Sequence, residues 1–226
     1  MTRTKAKQSI ERGLAYINGT QCFKPAAVIK DTDLAELKKL PEYASFGGEK
    51  LAKALQDFDF SVQDMTCADI GASNGGFTSC LLLNGAKKVF AIDVGECALP
   101  PHLQTDERVV VKDRTNARYI TSQELGQECD LAVIDVSFIS LELILPAAGA
   151  LVRKGGHIIA LIKPQFEVGR SGLSKNGMVL SEKERRRAVE KVREAGRKAG
   201  LAEENFTTAP IREKKNVEYL ILFAKK

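Results

Sequence analysis

The fold of this chain is decided by the stretch Asp69-Ile-Gly-Ala-Ser-Asn-Gly-Gly-Phe77. It follows an apolar segment, residues 66–70, that predicts a buried strand, and it leads into residues 76–84, which predict a helix. The residues between the two elements are small, so a ligand can approach the backbone closely there. In a parallel sheet such a turn lies at the carboxyl edge, where ligands bind. The stretch therefore predicts an α/β fold with a ligand site at this turn.

Strand and helix patterns alternate on both sides of the turn, which is typical of a parallel sheet with helices on both faces. Two late strands with a short connection predict a hairpin that adds an antiparallel strand at one edge. This is the arrangement of a Rossmann-like methyltransferase domain with a mostly parallel seven-stranded sheet, predicted here over residues 46–226. The further predicted strands are 88–93, 108–112, 131–135, 157–163, 206–209 and 217–224, and the helices are 49–57, 122–126, 141–152 and 181–199.

Residues 1–40 predict a separate small α/β domain, and residues 41–45 predict a linker. The domain begins with a predicted helix at 4–13, followed by short strands at 14–17 and 21–23 around the tight-turn signal Asn18-Gly19. Residues 1–30 carry six basic side chains and one acidic side chain, so the whole net charge of +5 lies on this segment. Such asymmetry suits contact with a polyanion, and a solvated basic face explains it equally well.

The composition excludes several classes of protein. The 226 residues are 44% hydrophobic and 28% charged, as in an ordinary soluble globular protein. No apolar run reaches the roughly 20 residues that cross a bilayer, and the polar N-terminus does not resemble a secretory signal. The five cysteines are scattered without a C-x-x-C pair, which favours reduced thiols over disulfides or zinc. We therefore expect a cytoplasmic protein without a metal site.

One interpretation of the glycine turn is a dinucleotide-binding loop, which has the pattern G-x-G-x-x-G and places a pyrophosphate at the helix N-terminus. In this chain Ser73 occupies the position of the middle glycine. Asp69 lies two residues before the first glycine, where its charge would repel a phosphate. The pattern therefore disfavours a dinucleotide.

A second interpretation is the nucleophile elbow of a hydrolase, G-x-S-x-G, which Gly71-Ala-Ser73-Asn-Gly75 matches between a strand and a helix. That chemistry needs a histidine on a late loop. The chain has two histidines, His102 and His157, and His157 opens a predicted buried strand. Ser73 is more simply explained as a small residue in a cofactor loop.

The third interpretation is a loop for S-adenosylmethionine, with the form acid-x-G-x-small-x-G. This cofactor carries a sulfonium and an amino group but no phosphate, so an acid at Asp69 is favourable. Asp93 ends the next predicted strand, where a carboxylate can bind both hydroxyls of a ribose, and Asp113 ends the strand after it, where such folds place an acid near the adenine. A capping role explains any one of these residues better than it explains all three.

Four charged residues are candidates for catalysis. Lys163 ends an apolar predicted strand and opens into the site, where partial burial or a second cation such as Lys50 permits base chemistry. Asp135 ends the neighbouring predicted strand, and Glu218 is the one acid of the last apolar strand. Each residue taken alone has another explanation. Lys50 could be a charge on a helix surface, and Lys163 a strand-end lysine whose ammonium extends to solvent. Glu218 could be a charge that prevents aggregation through an edge strand.

Six blocks that run in order along nearly the whole chain carry a specific resemblance. In sequence and order they resemble the TlyA (haemolysin A) family of FtsJ-like RNA 2′-O-methyltransferases. The blocks are Gly47-Gly-Glu-Lys-Leu51, Asp69-Ile-Gly-Ala-Ser-Asn-Gly-Gly-Phe-Thr78, Ala91-Ile-Asp-Val-Gly95, Arg114-Thr-Asn-Ala-Arg118, Asp135-Val-Ser-Phe-Ile-Ser-Leu141 and Lys163-Pro-Gln-Phe-Glu-Val-Gly169.

The resemblance implies transfer of a methyl group from S-adenosylmethionine to a ribose 2′-hydroxyl of ribosomal RNA, with cytidine as the nucleoside. It implies a catalytic tetrad of Lys50, Asp135, Lys163 and Glu218. The cofactor-binding residues it implies, together with the acids discussed above, are Asp69, Gly71, Ala72, Ser73, Gly75, Gly76, Phe77, Asp93, Val94, Asp113 and Asp135.

The first residues resemble the small RNA-binding domain named after ribosomal protein S-four. The leading helix of such domains is absent, so we expect this one to be truncated. In the second domain, residues 96–104 depart from the family's usual sequence, and no contacts are carried over to them. The RNA-binding residues implied by the resemblance are Arg3, Lys5, Lys7, Arg12 and Lys24.

Two rival functions follow from the same resemblance. One is a membrane-active haemolysin, as the historical family name suggests, although no segment resembles a pore-forming one and residues 181–199 fit a helix that covers the sheet. The other is an RNA-binding protein that has kept the fold without catalysis. Failure to bind S-adenosylmethionine would favour the second rival.

Overall fold

The computed structural model describes residues 6–7, 9–10, 14–37, 43–169, 172–211 and 215–226. The chain divides into two compact units, Met1–Glu42 and Tyr43–Lys226, and the division falls within the predicted linker. Of the predicted helix at 4–13, the described residues 6–7 and 9–10 are helical. Three predicted RNA-binding residues lie outside the described residues, namely Arg3, Lys5 and Arg12.

The first unit contains a three-stranded antiparallel sheet of β1 (Ala15–Ile17), β2 (Thr20–Cys22) and β3 (Ala35–Leu37), in the order β2-β1-β3. Asn18 and Gly19 both have positive φ, as a two-residue hairpin turn requires. The Asn18 side chain also bonds Asp33 at 2.8 Å. β3 was not predicted from the sequence, because three residues are too few to show an alternating pattern.

The second unit is built on a seven-stranded sheet, in which the first five strands along the chain are parallel. Each parallel strand starts within three residues of the predicted start except the fifth, which begins five residues earlier. The strands are β4 (Thr66–Ile70), β5 (Lys88–Ile92), β6 (Val109–Lys112), β7 (Cys129–Ile134), β8 (Val152–Ile162), β9 (Leu201–Thr208) and β10 (Tyr219–Lys225), in the order β6-β5-β4-β7-β8-β10-β9. The Rossmann-like architecture is thereby confirmed.

The closing hairpin differs from the prediction in its position. β10 is antiparallel to both of its neighbours and lies between β8 and β9, so the antiparallel strand is one place in from the edge and β9 forms the edge itself. β9 also begins five residues before its predicted start. Its first half, Leu201–Asn205, is mostly polar and exposed, so it carries no apolar pattern that would predict a strand.

Helices cover both faces of this sheet, because alternate strand residues point to opposite sides. Ile158 packs in one apolar core with the helices over residues 145–151 and 182–198. Its neighbour Ile159 packs in the other core with the helices over residues 47–57 and 76–83. The predicted helix at 141–152 is instead a 3₁₀ turn at Leu141–Leu143 followed by the helix over residues 145–151. The helices are α1 (Gly47–Asp57), α2 (Gly76–Leu83), α3 (Pro101–Gln104), α4 (Ser122–Leu125), α5 (Leu145–Leu151), α6 (Pro164–Glu167) and α7 (Glu182–Lys198).

The short helices α3 and α6 were not predicted, since one turn carries no periodicity. α7 begins with a cap in which the Ser181 hydroxyl accepts a hydrogen bond from the Glu184 amide at 3.4 Å. The position of α6 matters for function, because it begins directly after Lys163 and carries that residue at its N-terminus.

Candidate active site

The glycine turn lies against the end of β7 so closely that a side chain is excluded. Gly71 has φ +87°, and a Cβ placed there would come within 2.4 Å of the backbone oxygen of Asp135. The Gly71 amide donates to the Ile92 carbonyl at 2.8 Å, which fixes the turn to β5 as well. Gly75, with φ +76°, begins α2. The small residues of this turn are therefore required by packing of the turn on its neighbours, in addition to any ligand.

Asp69 is fully buried at the end of β4. Its Oδ2 accepts a hydrogen bond from the Thr78 hydroxyl at 2.6 Å, whereas its Oδ1 is buried without a hydrogen-bond partner. Burial raises the pKa of this carboxyl to about 7. An unpaired buried acceptor is costly in a folded protein, so this oxygen is suited to a ligand that donates a hydrogen bond or carries positive charge.

The acids after β5 and β6 hold the loops that follow them. Asp93 accepts from the Ser73 amide with Oδ2 and from the Gly95 amide with Oδ1, both at 2.9 Å. Asp113 accepts from the Cys97 amide at 2.7 Å, and this bond holds the pKa of its carboxyl below the ordinary value. Each carboxylate oxygen has a second lone pair, so these acids can orient the loops and still accept from a ligand.

The same contacts weaken the two alternative interpretations of the turn. The Ser73 amide, which a phosphate would need, already donates to Asp93. His157 is the middle residue of β8 and lies opposite Leu131, three residues before the carboxyl end of β7, and it pairs with Glu204 at 3.3 Å. A serine at the carboxyl edge cannot use a histidine placed in the middle of the strand. The geometry therefore favours neither a dinucleotide loop nor a hydrolase.

Other predicted cofactor residues differ in exposure. Ala72 is buried in the turn, and Val94, after Asp93, is 73% exposed. Phe77 is 3% exposed and belongs to the apolar core beneath α1 and α2. A Cβ at Gly76 would lie 2.2 Å from the Ser45 hydroxyl. Gly76 therefore allows the starts of α1 and α2 to approach each other closely, and Phe77 fills the core beneath them.

Lys163 and Asp135 meet where β7 and β8 end side by side. The Lys163 Nζ lies 2.5 Å from the Asp135 Oδ1 and donates to the Ser137 hydroxyl at 2.9 Å. Both charged side chains are largely buried, with 12% and 21% of their surfaces exposed. Lys163 follows the last strand residue, so the prediction of a strand reaching 163 was one residue too long. The predicted neighbours are nevertheless in contact.

Lys50 and Glu218 form a second pair, with Nζ and Oε2 2.6 Å apart and 14% and 17% of the side chains exposed. The pairing of Tyr219 with Ile162 in the β10–β8 ladder places Glu218 next to Lys163 across the strands. A Cβ at Gly47, one turn before Lys50 on α1, would lie 3.6 Å from the Asp135 Oδ2. The four residues, separated by up to 168 positions in the chain, thus form two ion pairs at one edge of the sheet.

Two aromatic residues beside this edge were not singled out from the sequence. Phe138 is 92% exposed, has φ +64°, and contacts the Phe166 ring at a centroid distance of 5.1 Å. A bulky residue with positive φ is unusual and strained. The signal available in the sequence was a phenylalanine three residues after a strand-end acid. Its exposure and its backbone conformation are visible only in the structure.

Of the predicted RNA-binding residues, Lys7 and Lys24 lie within the described part of the chain, and both are exposed. Within the described part of the chain, no group of three or more His, Cys, Asp and Glu residues could hold a metal ion. The helices formed by the described residues are all too short or too polar to span a membrane.

Comparison with known proteins gives consistent matches. Residues 43–226 match the family model described as FtsJ-like methyltransferase. The chain is 39% identical to the "16S/23S rRNA (cytidine-2'-O)-methyltransferase TlyA" of Mycobacterium tuberculosis, covering 97% of this chain and 83% of that protein. It is 41% identical to "Hemolysin A" of Brachyspira hyodysenteriae, covering 98% and 93%. A crystal structure of a Lactococcus lactis protein is 42% identical with a TM-score of 0.79, covering 83% and 90%.

Proposed function

Because the chain belongs to the FtsJ-like methyltransferase family and is homologous to TlyA and hemolysin A proteins, we propose that it methylates the 2′-hydroxyl of a ribose in ribosomal RNA. S-adenosylmethionine is the proposed methyl donor, and a cytidine the proposed target. The observation that carries the proposal is the pair of lysine–carboxylate contacts, Lys163–Asp135 and Lys50–Glu218, beside an acid-lined glycine turn.

The residues around the turn fit S-adenosylmethionine better than a phosphate-bearing cofactor. The unpaired Asp69 oxygen suits the cofactor's cationic and amino groups. Asp93 could accept from the ribose hydroxyls, and Asp113, which follows the neighbouring strand, could accept from the adenine amino group. Three carboxylates along one edge would repel a pyrophosphate. When bound, the cofactor supplies a methyl group on a positively charged sulfur.

In the proposed reaction Lys163, as the neutral amine after loss of its own proton, would accept the proton of the ribose 2′-hydroxyl, and that oxygen would take up the methyl group that the bound cofactor supplies. Asp135 and Ser137 hold the Lys163 amine in place through their two contacts. Lys50, oriented by Glu218, stabilises the negative charge that develops on the oxygen. The four side chains are fixed before substrate arrives, which reduces the cost of alignment.

A nucleic acid substrate is supported by features outside the tetrad. The exposed Phe138 ring offers a flat apolar surface of the kind on which unpaired bases stack. The basic excess of residues 1–30 can add phosphate contacts, with exposed Lys7 and Lys24 among the described residues. Ribosomal RNA and cytidine come from the names of the homologous proteins. A ribosomal substrate also places the proposed activity in the cytoplasm.

The test combines a transfer assay with mapping of the product. Purified protein, tritiated S-adenosylmethionine and unmethylated small or large ribosomal subunits should give labelled RNA, and nuclease digestion should release 2′-O-methylcytidine. Lys163→Ala should slow transfer about 10²- to 10⁴-fold, the usual effect of losing a general base, while binding the cofactor normally in calorimetry.

Lys53→Ala is a matched control, since Lys53 also pairs with a carboxylate at 2.6 Å but lies on the exposed side of α1. It should retain the full rate. Label found on a base instead of a ribose would overturn the choice of the 2′-hydroxyl. Undiminished transfer by the Lys163 variant would overturn the role of that residue.

A further inference from the structure

The two loops that carry the Asp135–Lys163 pair touch each other in three successive places. The β7 loop comprises residues 135–141, and the β8 loop comprises residues 163–168. Lys163 contacts Asp135 and Ser137 at the start of both loops, and Phe166 contacts Phe138 in the middle. The third contact is made by Glu167, at the end of α6.

The Glu167 carboxylate is nearly inaccessible to solvent, with 1% of its side chain exposed. Its Oε1 accepts from the Leu141 amide at 2.8 Å and its Oε2 from the Ser140 hydroxyl at 2.6 Å. Lys191 of α7 lies 3.4 Å from Oε2 and donates to the Ser140 hydroxyl at 3.0 Å. Both oxygens are therefore bonded, and the charge has a partner, as a buried carboxylate requires.

These bonds close the far end of a strained loop. Phe138 has a left-handed backbone conformation, which persists only where the surrounding structure holds it. The β7 loop is held on one side by the end of β7 and on the other by the bonds from Ser140 and Leu141 to Glu167. On the β8 side, α6 is a single turn that links Glu167 to Lys163. A shift of Glu167 would thus alter the spacing between the two loops.

We propose that Glu167 is a positioning residue for methyl transfer, acting through both loops to keep the Lys163 amine in register with Asp135. The inference rests on the proposed role of Lys163 as the base. Glu167 itself touches neither reacting atom, so its effect should appear in the rate of transfer and not in the affinity for the cofactor.

A merely structural role would predict loss of stability without a separate loss of rate. Asp130 provides the control that distinguishes a positioning role from a structural role, because it links β7 and β8 at the amino edge of the sheet. Its Oδ2 accepts from the Thr66 amide at 2.9 Å and its Oδ1 from Arg153 at 2.7 Å. Asp130→Ala therefore removes a comparable clamp that lies far along the strands from the tetrad.

The experiment measures single-turnover transfer at saturating S-adenosylmethionine and ribosomal subunits, well below every variant's unfolding midpoint. Glu167→Ala should slow transfer at least about tenfold with a cofactor Kd within about twofold of wild type, and Glu167→Gln should recover part of the rate because an amide oxygen still accepts from Leu141. Ser140→Ala, which leaves the carboxylate in place, should slow transfer by a smaller factor. Asp130→Ala should keep the wild-type rate.

Equal transfer rates for Glu167→Ala and Asp130→Ala would overturn the positioning role. So would a slow Glu167→Ala variant whose loss of rate is explained entirely by weaker binding of the cofactor. If Glu167→Ala does not fold, a wild-type rate for Ser140→Ala overturns it instead. The proposed function fails separately, when wild type puts no label on ribose.

Discussion

At the amino edge of the central sheet Asp130 has both carboxylate oxygens bonded, whereas at the carboxyl edge the buried Asp69 has one oxygen without a partner. Burial by itself would raise the pKa of Asp130, but the hydrogen bonds from Arg153 and Thr66, together with the charges of Arg153 and Lys87, lower it overall. Burial raises the pKa of Asp69 to about 7. The fold therefore pairs both oxygens of Asp130 but only one oxygen of Asp69.

The carboxyl edge also has strained backbone and buried lysines. The carboxyl edge contains the positive φ of Phe138 and the close approach of Gly71 to Asp135. It also holds Lys163 and Lys50 in largely buried ion pairs. Strain, unpaired polar atoms and buried charges are costly for stability and collect at functional sites. These features therefore favour the carboxyl edge as the candidate functional site, independently of the resemblance to other proteins.

The largest effect on the comparison of the two edges is expected from removing a buried lysine of the carboxyl edge. Lys50→Ala should slow methyl transfer about 10²- to 10³-fold, as for loss of one group that stabilises developing negative charge. The measurement is single-turnover transfer to ribosomal subunits. Lys53→Ala, on the same helix with a carboxylate at the same distance, should change the rate less than about twofold. Similar rates for both variants would mean that the buried pair is only structural.

A smaller effect is expected from adding one methyl group to the glycine turn. Gly71→Ala should lower the free energy of unfolding by about 3 kcal/mol, since the residue combines left-handed strain with a clash against the Asp135 backbone. Gly126 has φ +77° with nothing within 4 Å of an added Cβ, so Gly126→Ala should cost only about 1 kcal/mol. Urea unfolding measures the free energy of unfolding of both variants. Equal losses would show that the glycine turn can shift away from the Asp135 backbone and relieve the clash.

The smallest expected effect is the pH dependence of stability that follows from the raised pKa of Asp69, in contrast to the lowered pKa of Asp130. The folded-state pKa of Asp69, about 7, lies above its ordinary value of 3.8, so the folded protein binds the extra proton and its stability falls as pH rises from about 4 to 7. Relative to Asp69→Asn, wild type without cofactor should lose roughly 2 kcal/mol of stability between pH 5 and pH 8. Denaturation at the two pH values measures this difference, and a gap that stays constant would contradict a raised pKa.

Prediction from the sequence worked best where one short segment carries its own signal. The glycine turn, the strand-end acids and the alternation of strands and helices were all visible in local patterns. The polar first half of β9 and the single turn of α6 carry no such pattern, so their bounds were missed. The place of β10 between β8 and β9 depends on pairing between distant segments, which a local pattern does not contain.

The candidate site shows the same division. The sequence by itself determined which residue types stand at the strand ends, because alternation and small residues fix where each parallel strand stops. Only the tertiary structure decided that Lys163 meets Asp135, that Lys50 meets Glu218 across 168 positions, and that Glu167 bonds Ser140 and Leu141. These contacts require strand order and register, which form only when the whole sheet is packed between its helices.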